Sequence, residues 1–227
     1  MSMSPHSISI IVPAYNEASR IGKLLDVLNG LDRSQFQIIV VDDGSTDETY
    51  KVVSQYPDIA CIRHSMNQGK GAAMATGIEN ASGDIILFVD ADLIGFKIEH
   101  IHQLLKPLVQ GTSEIGIGYM DTVIDGWFGR PLSGTRAYMK SDVQQHINKM
   151  KTKRYGIEIF LNYQHHERRY NISKLSGVTH PLQTAKYSGV KGFKLYFHVL
   201  WQVWQEILSY PSPPKTFYRV YLKNFFI

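Results

Sequence analysis

The sequence has little cysteine and no long hydrophobic run. Cys61 is the single cysteine among 227 residues, which excludes an internal disulfide framework and a zinc site built from several thiolates. No stretch of about 18 uncharged apolar residues predicts a membrane-spanning helix. Residues 1–7 contain neither the basic nor the apolar part of a secretory signal peptide. These absences predict a protein of a reducing compartment, the cytoplasm.

Internal repeats and low-complexity linkers are also absent, so we expect a single domain over residues 1–227. Its charge is divided unevenly. Residues 1–110 carry 8 basic and 13 acidic side chains, a net charge of −5, whereas residues 111–227 carry 16 and 7, a net charge of +9. A basic surface can meet nucleic acid, anionic lipid or a phosphorylated substrate. Because the sequence contains no recognisable nucleic-acid recognition module, we expect no nucleic-acid partner.

The first half predicts an open α/β sheet, because apolar runs alternate with helical patterns. The predicted strands are residues 7–12, 36–41, 59–63 and 84–89, the first of them stopped by Pro13. The predicted helices are residues 18–31, 45–55 and 69–80. Sheets of this kind bind ligands outside the carboxyl ends of their strands.

The alternation weakens in the second half. The predicted elements are a strand at 115–119, a loop at 121–133, helices at 134–150 and 157–168, a strand at 171–178 and an apolar helix near 190–208. His165 and His166 are predicted to lie on a solvated helix face. We expect residues 111–208 to form a second half appended to the sheet, followed by an aromatic and basic tail at 209–227.

Two carboxylates, Asp90 and Asp92, come at the end of a buried strand with one residue between them. Carboxylates spaced in this way where a strand leaves the sheet can converge on a hard cation, and Mg2+ bound so keeps substrate phosphates as further ligands. The alternative is a solvated turn.

Two further strand ends carry polar or aromatic side chains. Asp42 and Asp43 can accept a hydrogen bond from a base, or they can merely cap and turn the chain. Tyr15 can stack on a base and Glu17 can reach a ribose hydroxyl, although a tyrosine at a strand end can also be a core residue. Three strand ends with such side chains on one rim predict a common site.

Four segments together resemble one known family. They are the strand end at 10–17, the acidic loop at 40–47, the segment at 67–71 and the carboxylate pair at 90–93. In order, spacing and strand context they resemble family 2 glycosyltransferases of GT-A fold, a Rossmann-like, mostly parallel sheet flanked by helices. The resemblance implies a nucleotide-diphosphate-sugar donor, a UDP- or GDP-sugar, and a divalent cation, Mg2+ or Mn2+.

The resemblance also assigns residues to the donor. Around the nucleoside it implies Pro13, Ala14, Tyr15, Glu17, Asp42 and Asp43. At the ribose, the diphosphate and the metal it implies Asp90, Ala91 and Asp92. Lys70 is not part of a Walker A motif. At the start of a helix it can still offer positive potential to the donor diphosphate. The alternative is a solvated lysine.

The second half resembles polyprenyl-phosphate sugar synthases. The resemblance implies that residues 1–110 bind the nucleotide sugar and that residues 111–208 bind the acceptor, a lipid phosphate or, as the alternative, a soluble hydroxyl compound. Arg136 and Glu158 lie in segments similar to theirs and are candidate catalytic residues, with Glu158 either a general base or a group that orients Arg136. In dolichyl-phosphate mannose synthases a glutamine often supplies an extra metal ligand where Ile94 stands here. His180 is our candidate for the missing ligand.

The last segment favours contact with a membrane surface. Residues 193–227 contain 11 of the 26 aromatic residues, together with several basic ones. An apolar stripe there can pack on the sheet or lie at a membrane interface with its aromatic rings at the level of the headgroups.

The resemblance thus implies a metal-dependent, inverting glycosyltransferase with Asp92 and Asp90 on the cation. A haloacid-dehalogenase-like phosphatase is a rival, but Leu93 after the carboxylate pair counts against it. A non-catalytic nucleotide- or lipid-binding protein on a GT-A scaffold is the other rival.

Overall fold

The computed structural model describes residues 6–120, 132–154 and 156–179, with residues 201, 205, 206 and 209. In this part of the chain seven strands form one sheet in the order β3-β2-β1-β4-β6-β5-β7. The strands are β1 (Ile8–Ala14), β2 (Phe36–Asp42), β3 (Ala60–Arg63), β4 (Ile85–Phe88), β5 (Ile115–Tyr119), β6 (Arg136–Met139) and β7 (Tyr170–Lys174). All run in one direction except β6, which is antiparallel to both of its neighbours. The predicted mostly parallel α/β sheet is confirmed.

Helices connect the strands and cover both faces of the sheet. The described helices are α1 (Ile21–Asn29), α2 (Thr49–Val53), α3 (Lys70–Asn80), α4 (Ile98–Val109), α5 (Lys140–Gln144), α6 (Ile147–Met150) and α7 (Ile157–Gln164). Strand side chains alternate between two cores. Ile10 and Val12 of β1 join the core with α1 and α4, whereas Ile11 joins the core with α3, α5, α6 and α7.

The helix predicted at 134–150 is partly wrong, because the chain first forms β6. Arg136, Ala137 and Tyr138 are buried between β4 and β5. Pairing with strands distant in sequence overrides the local helical pattern, since strand formation depends more on tertiary context than helix formation does. The α5 and α6 helices then occupy the rest of the predicted range.

Two other expectations are corrected. Pro13 does not stop β1, which continues to Ala14. The Val89 amide donates to the Ile11 carbonyl, so the backbone polar groups of Ile11 point towards β4. Because the direction of these groups alternates along a strand, the Pro13 nitrogen points to the same side. It lies past the end of β4, where the sheet requires no backbone donor. His165 is buried and not solvated: its ring contacts Tyr138, and Nδ1 lies 2.9 Å from the Leu161 carbonyl oxygen.

Several predicted features lie outside the described residues. These include most of the 121–133 loop, His180 and almost all of the segment from 190 to 227. Among the helices that are described, none is long and apolar enough to span a membrane.

Gly77 brings α3 into close contact with β1. A Cβ added at Gly77 would overlap the Ile11 side chain, whereas one added at Gly22 in α1 would find its nearest neighbour at 3.7 Å. We expect Gly77→Ala to lower the free energy of unfolding by about 1–3 kcal/mol, because the buried Ile11 has little room to move. Gly22→Ala is the matched control and is expected to cause no loss, since alanine favours helix. Urea unfolding of both variants measures the difference; equal stabilities would contradict this packing.

Candidate functional site

Hydrogen bonds join the loops after β1 and β2 to each other at the carboxyl edge of the sheet. Asn16 adopts a left-handed backbone conformation with φ of 55°, a region in which asparagine is enriched. Its side-chain oxygen accepts a hydrogen bond from the Thr46 amide at 2.8 Å, and its own amide donates to Ser45 Oγ at 2.9 Å. The Ala18 amide donates to Asp47 Oδ2 at 3.1 Å. Asn16 was not among our candidates, although its residue type at a strand end was a usable signal.

Asp42 and Asp43 are both buried and hold backbone in place. Asp42 Oδ1 accepts from the Ser45 amide at 2.9 Å, and its Oδ2 lies 3.3 Å from Arg63 Nε. Asp43 accepts from the Gln68 and Gly69 amides at 2.9 and 2.7 Å. This is the capping arrangement that the sequence left open. Both carboxylates therefore shape the loops of the predicted nucleoside site.

His64 joins this network and was missed by the sequence analysis. Its Nδ1 lies 2.7 Å from Asp43 Oδ1, and its Nε2 lies 3.0 Å from Thr76 Oγ1 on α3. No local sequence pattern pointed to this histidine, because its partners come from β2 and α3.

Other residues that the resemblance assigns to the donor lie at the same edge. Tyr15 exposes 37% of its surface at the end of β1, so its ring is available for stacking. Glu17 is buried and lies 3.3 Å from Arg20 Nη1. Pro13 is half-buried, and Ala14 and Ala91 are buried.

Lys70, Asp90 and Glu158 meet in one cluster. The Lys70 ammonium donates to Asp90 Oδ1 at 2.7 Å and to Glu158 Oε1 at 2.6 Å. Lys70 is the first residue of α3, Asp90 follows β4, and Glu158 lies in the first turn of α7. The lysine predicted for the diphosphate and the carboxylate predicted as a base are thus ion-paired. A solvated Lys70, the alternative reading, is wrong.

The cluster keeps Lys70 charged. Burial disfavours the ammonium, but the Asp90 and Glu158 carboxylates outweigh burial and raise the pKa of Lys70 above its ordinary value. The ammonium is therefore present throughout the neutral pH range. Only a small part of the three side chains is exposed, 23% for Lys70, 21% for Asp90 and 7% for Glu158.

Gly134 covers the ion pair from the loop before β6. A Cβ at this position would overlap both the Asp90 carboxylate and the Lys70 ammonium. The absence of a side chain at Gly134 is what leaves room for the pair.

Arg136 is fully buried in β6. Its Nη1 donates to Asn162 Oδ1 and lies 3.3 Å from the Tyr138 hydroxyl, and its Nε donates to the Ser133 carbonyl. Arg136 thereby holds the loop that contains Gly134. Glu158 pairs with Lys70, and its predicted role of orienting Arg136 stays a prediction.

Asp92 is half-buried, and the chain after it is joined to the second half of the protein. The Ile94 amide donates to the Thr179 carbonyl at 2.8 Å, and the Thr179 amide donates back at 3.0 Å. Gly95, with φ of 76°, lies so close to the Gly177 carbonyl that a side chain would not fit. This contact brings Thr179, the residue before His180, next to the carboxylate loop; His180 itself lies outside the described residues.

Asp90 and Asp92 remain the candidate ligands of a divalent cation, whose other ligands would come from substrate and water. Within the described ranges, no three His, Cys, Asp or Glu side chains come together in a metal-binding group. Two carboxylate oxygens with phosphate and water as the remaining ligands suit Mg2+. Asp90 already attracts one cation, the Lys70 ammonium.

We expect Lys70→Met to lower the free energy of unfolding by about 2–4 kcal/mol, because two largely buried carboxylates lose their counter-ion. Lys151→Met is the matched control. The Lys151–Glu79 pair spans 2.6 Å, but both side chains are at least 40% exposed, so its loss is expected to change stability by less than about 0.5 kcal/mol. Urea denaturation measures both variants. A Lys70 variant as stable as the control would mean that the cluster contributes nothing to folding.

Comparison with known proteins identifies the family of this chain. The sequence model described as Glycosyl transferase family 2 matches residues 9–222. A dolichyl-phosphate beta-glucosyltransferase of Trichomonas vaginalis is 41% identical over 97 residues, which is 37% of this chain and 30% of that protein. The UDP-N-acetylglucosamine--dolichyl-phosphate N-acetylglucosaminyltransferase of Methanococcus voltae is 26% identical over 197 residues, 67% of this chain and 77% of that protein. The chain thus spans about a third of the Trichomonas relative and most of the Methanococcus one.

A solved structure shows the same fold. Glucosyl-3-phosphoglycerate synthase from Mycobacterium tuberculosis, in complex with Mn2+, UDP and phosphoglyceric acid, superposes with a TM-score of 0.74 at 21% identity, covering 91% of this chain and 80% of that one. The predicted GT-A architecture is confirmed by this likeness. Because the family match extends over nearly the whole sequence, the chain belongs to glycosyl transferase family 2.

Proposed function

We propose that this chain transfers a sugar from a nucleotide-diphosphate sugar to a lipid phosphate, with a divalent cation, Mg2+ or Mn2+, at Asp90 and Asp92. The observation that carries the proposal is the convergence of three strand ends on one edge, where an exposed aromatic ring, a buried ammonium and two carboxylates lie in a family 2 glycosyltransferase.

The donor side of the proposal rests on the first half of the chain. Tyr15 offers a ring on which a base can stack, while the Asp42 and Asp43 loops enclose the nucleoside. The Lys70 ammonium supplies positive charge for the diphosphate. Neutralising the charge that develops on a leaving diphosphate is the chemistry a divalent cation supplies when bound.

The acceptor side rests on charge and on relatives. Residues 111–227 carry a net charge of +9, which suits an anionic acceptor. The Trichomonas and Methanococcus relatives are both named as dolichyl-phosphate glycosyltransferases. A phosphate oxygen is already anionic near neutral pH, so it can attack the anomeric carbon without a strong general base. The new carbon–oxygen bond forms as the bond to the diphosphate breaks, and inversion follows from direct attack.

This acceptor agrees with the state of Glu158, which is buried and paired with Lys70. We therefore assign Glu158 and Arg136 to positioning and not to proton transfer. We retain His180 as the further metal ligand, supported by the backbone pairing of Thr179 with Ile94.

We also retain contact with a membrane surface, at the cytoplasmic face. Among the described residues of the last segment, Trp201 exposes 60% of its surface. An exposed indole of this kind is suited to the headgroup region of a bilayer.

Asp92→Ala is expected to abolish turnover while leaving the fold intact, because the half-buried side chain is proposed to bind the cation. The assay offers UDP- and GDP-sugars with polyprenyl phosphate and Mn2+, and calorimetric titration with UDP, GDP, CDP and dTDP, with and without Mn2+, reports nucleotide binding. Asp58→Ala, which removes an exposed carboxylate before β3, is expected to retain full activity.

If the Asp92→Ala variant turns over substrate within a few fold of the wild-type rate, the assignment of Asp92 as a metal ligand is wrong. Tight nucleotide binding by the wild type without turnover of any donor would instead favour the non-catalytic rival, and turnover only with a soluble hydroxyl compound would replace the lipid-phosphate acceptor.

Gly134→Ala is expected to lower turnover by at least about 100-fold, because a methyl group at this position displaces both Asp90 and Lys70 and small misplacements of catalytic groups have large effects. The same change at Gly22, which has room for a methyl group, is expected to leave turnover unaltered. Kinetic assays of the two variants, each checked for folding by circular dichroism, make the comparison. Wild-type turnover in Gly134→Ala would show that the ion pair is not required in its present position.

A further inference from the structure

The Lys70 ammonium occupies the carboxylate that the proposed cation needs. It donates to Asp90 Oδ1 at 2.7 Å and to Glu158 Oε1 at 2.6 Å. A divalent cation at Asp90 would therefore compete with the ammonium, since both depend on the negative charge of the same carboxylate.

The position of Lys70 is imposed by the packing of α3. The Gly71 amide donates to the Lys153 carbonyl at 3.1 Å, and the contact is so close that a Cβ at Gly71 would not fit. The Gly69 amide is held by Asp43 on the other side. With the backbone fixed at both neighbours and Gly134 covering the pair, Lys70 is aimed into the cluster and is not a mobile surface lysine.

Glu158 gives the ammonium a second partner that does not belong to the proposed metal site. It lies in α7, 88 residues from Lys70 along the chain, whereas Asp90 follows β4. If Asp90 is taken by another cation, the ammonium still has a carboxylate nearby, close to where the diphosphate would lie.

We propose that Lys70 is the resident cation of Asp90 in the metal-free protein, that a divalent cation displaces the ammonium from Asp90, and that Glu158 retains the ammonium during the exchange. This inference rests on the proposed function, in which Asp90 and Asp92 bind the metal. It makes Glu158 a positioning residue that acts through Lys70.

The test is Mn2+ binding without nucleotide or sugar, measured by electron paramagnetic resonance of free Mn2+. Lys70→Met is expected to bind Mn2+ at least about tenfold more tightly than the wild type, because the competitor is gone. Glu158→Gln is expected to bind it at least about threefold more weakly, because the ammonium then pairs with Asp90 alone. The double variant is expected to lie within about threefold of Lys70→Met, since Glu158 has no separate role.

A control separates direct competition from general charge. Lys153→Met removes a positive charge from the segment packed on α3, and Lys153 pairs with Glu206 at 2.8 Å. Its Mn2+ affinity is expected to stay within about threefold of the wild type. The difference between the Lys70 and Lys153 variants is expected to persist in 0.5 M salt, where interactions between separated exposed charges are screened.

Equal or weaker Mn2+ binding by Lys70→Met would overturn the inference, as would a double variant that binds more weakly than the wild type, which would make Glu158 a metal ligand. If wild-type binding is lost in Asp92→Ala but unchanged in Lys70→Met, this inference alone fails. If binding is indifferent to Asp92, the proposed metal site fails with it. If neither the wild type nor any variant binds Mn2+ without nucleotide, this inference fails, and the effect of Mn2+ on UDP binding in the calorimetric titration then tests the proposed metal site. Circular dichroism checks that each variant is folded. If Lys70→Met does not fold, Glu158→Gln still tests the inference, because its Mn2+ affinity is expected to shift in the opposite direction.

Discussion

The ion pairs of one ammonium with two carboxylates join the two halves of this protein. Lys70 and Asp90 come from the acidic first half, and Glu158 comes from the basic second half. Charges that are largely removed from water are tolerated only when they are paired. The start of α3, the end of β4 and the first turn of α7 are therefore constrained to meet at one point, and Gly134 must leave room for them. The site geometry follows from this requirement.

The same edge of the sheet depends on a second polar network. Asn16, Asp42 and Asp43 satisfy backbone amides of loops that begin at different strands. A partly buried polar network is stable only when all of its donors and acceptors form hydrogen bonds. These loops therefore form one unit. The predicted nucleoside residues are consequently of two kinds. Tyr15 faces outward, while the two aspartates hold the surface on which it is presented.

Sequence reasoning worked where the signals are local. The helical spacing of Ile21, Leu24 and Leu28 predicted α1, and the buried strand before Asp90 was evident from its apolar run. It failed where distant segments decide the outcome. β6 is stabilised by backbone pairing with β4 on one side and with β5 on the other. His165 is buried in contact with Tyr138. Neither circumstance is visible in the residues around these positions.

By itself, the sequence determined the alternation of strands and helices, the uneven charge and the placement of acids at strand ends, because each depends on residue type and short-range spacing. Only the tertiary structure decided which of those acids pair with a basic group: Asp90 pairs with the Lys70 ammonium, which also pairs with Glu158. Lys70 and Glu158 are 88 residues apart, and no sequence pattern indicates that they form an ion pair. Ion pairing under burial is a property of the assembled fold, because desolvation and distance arise only when the elements pack together.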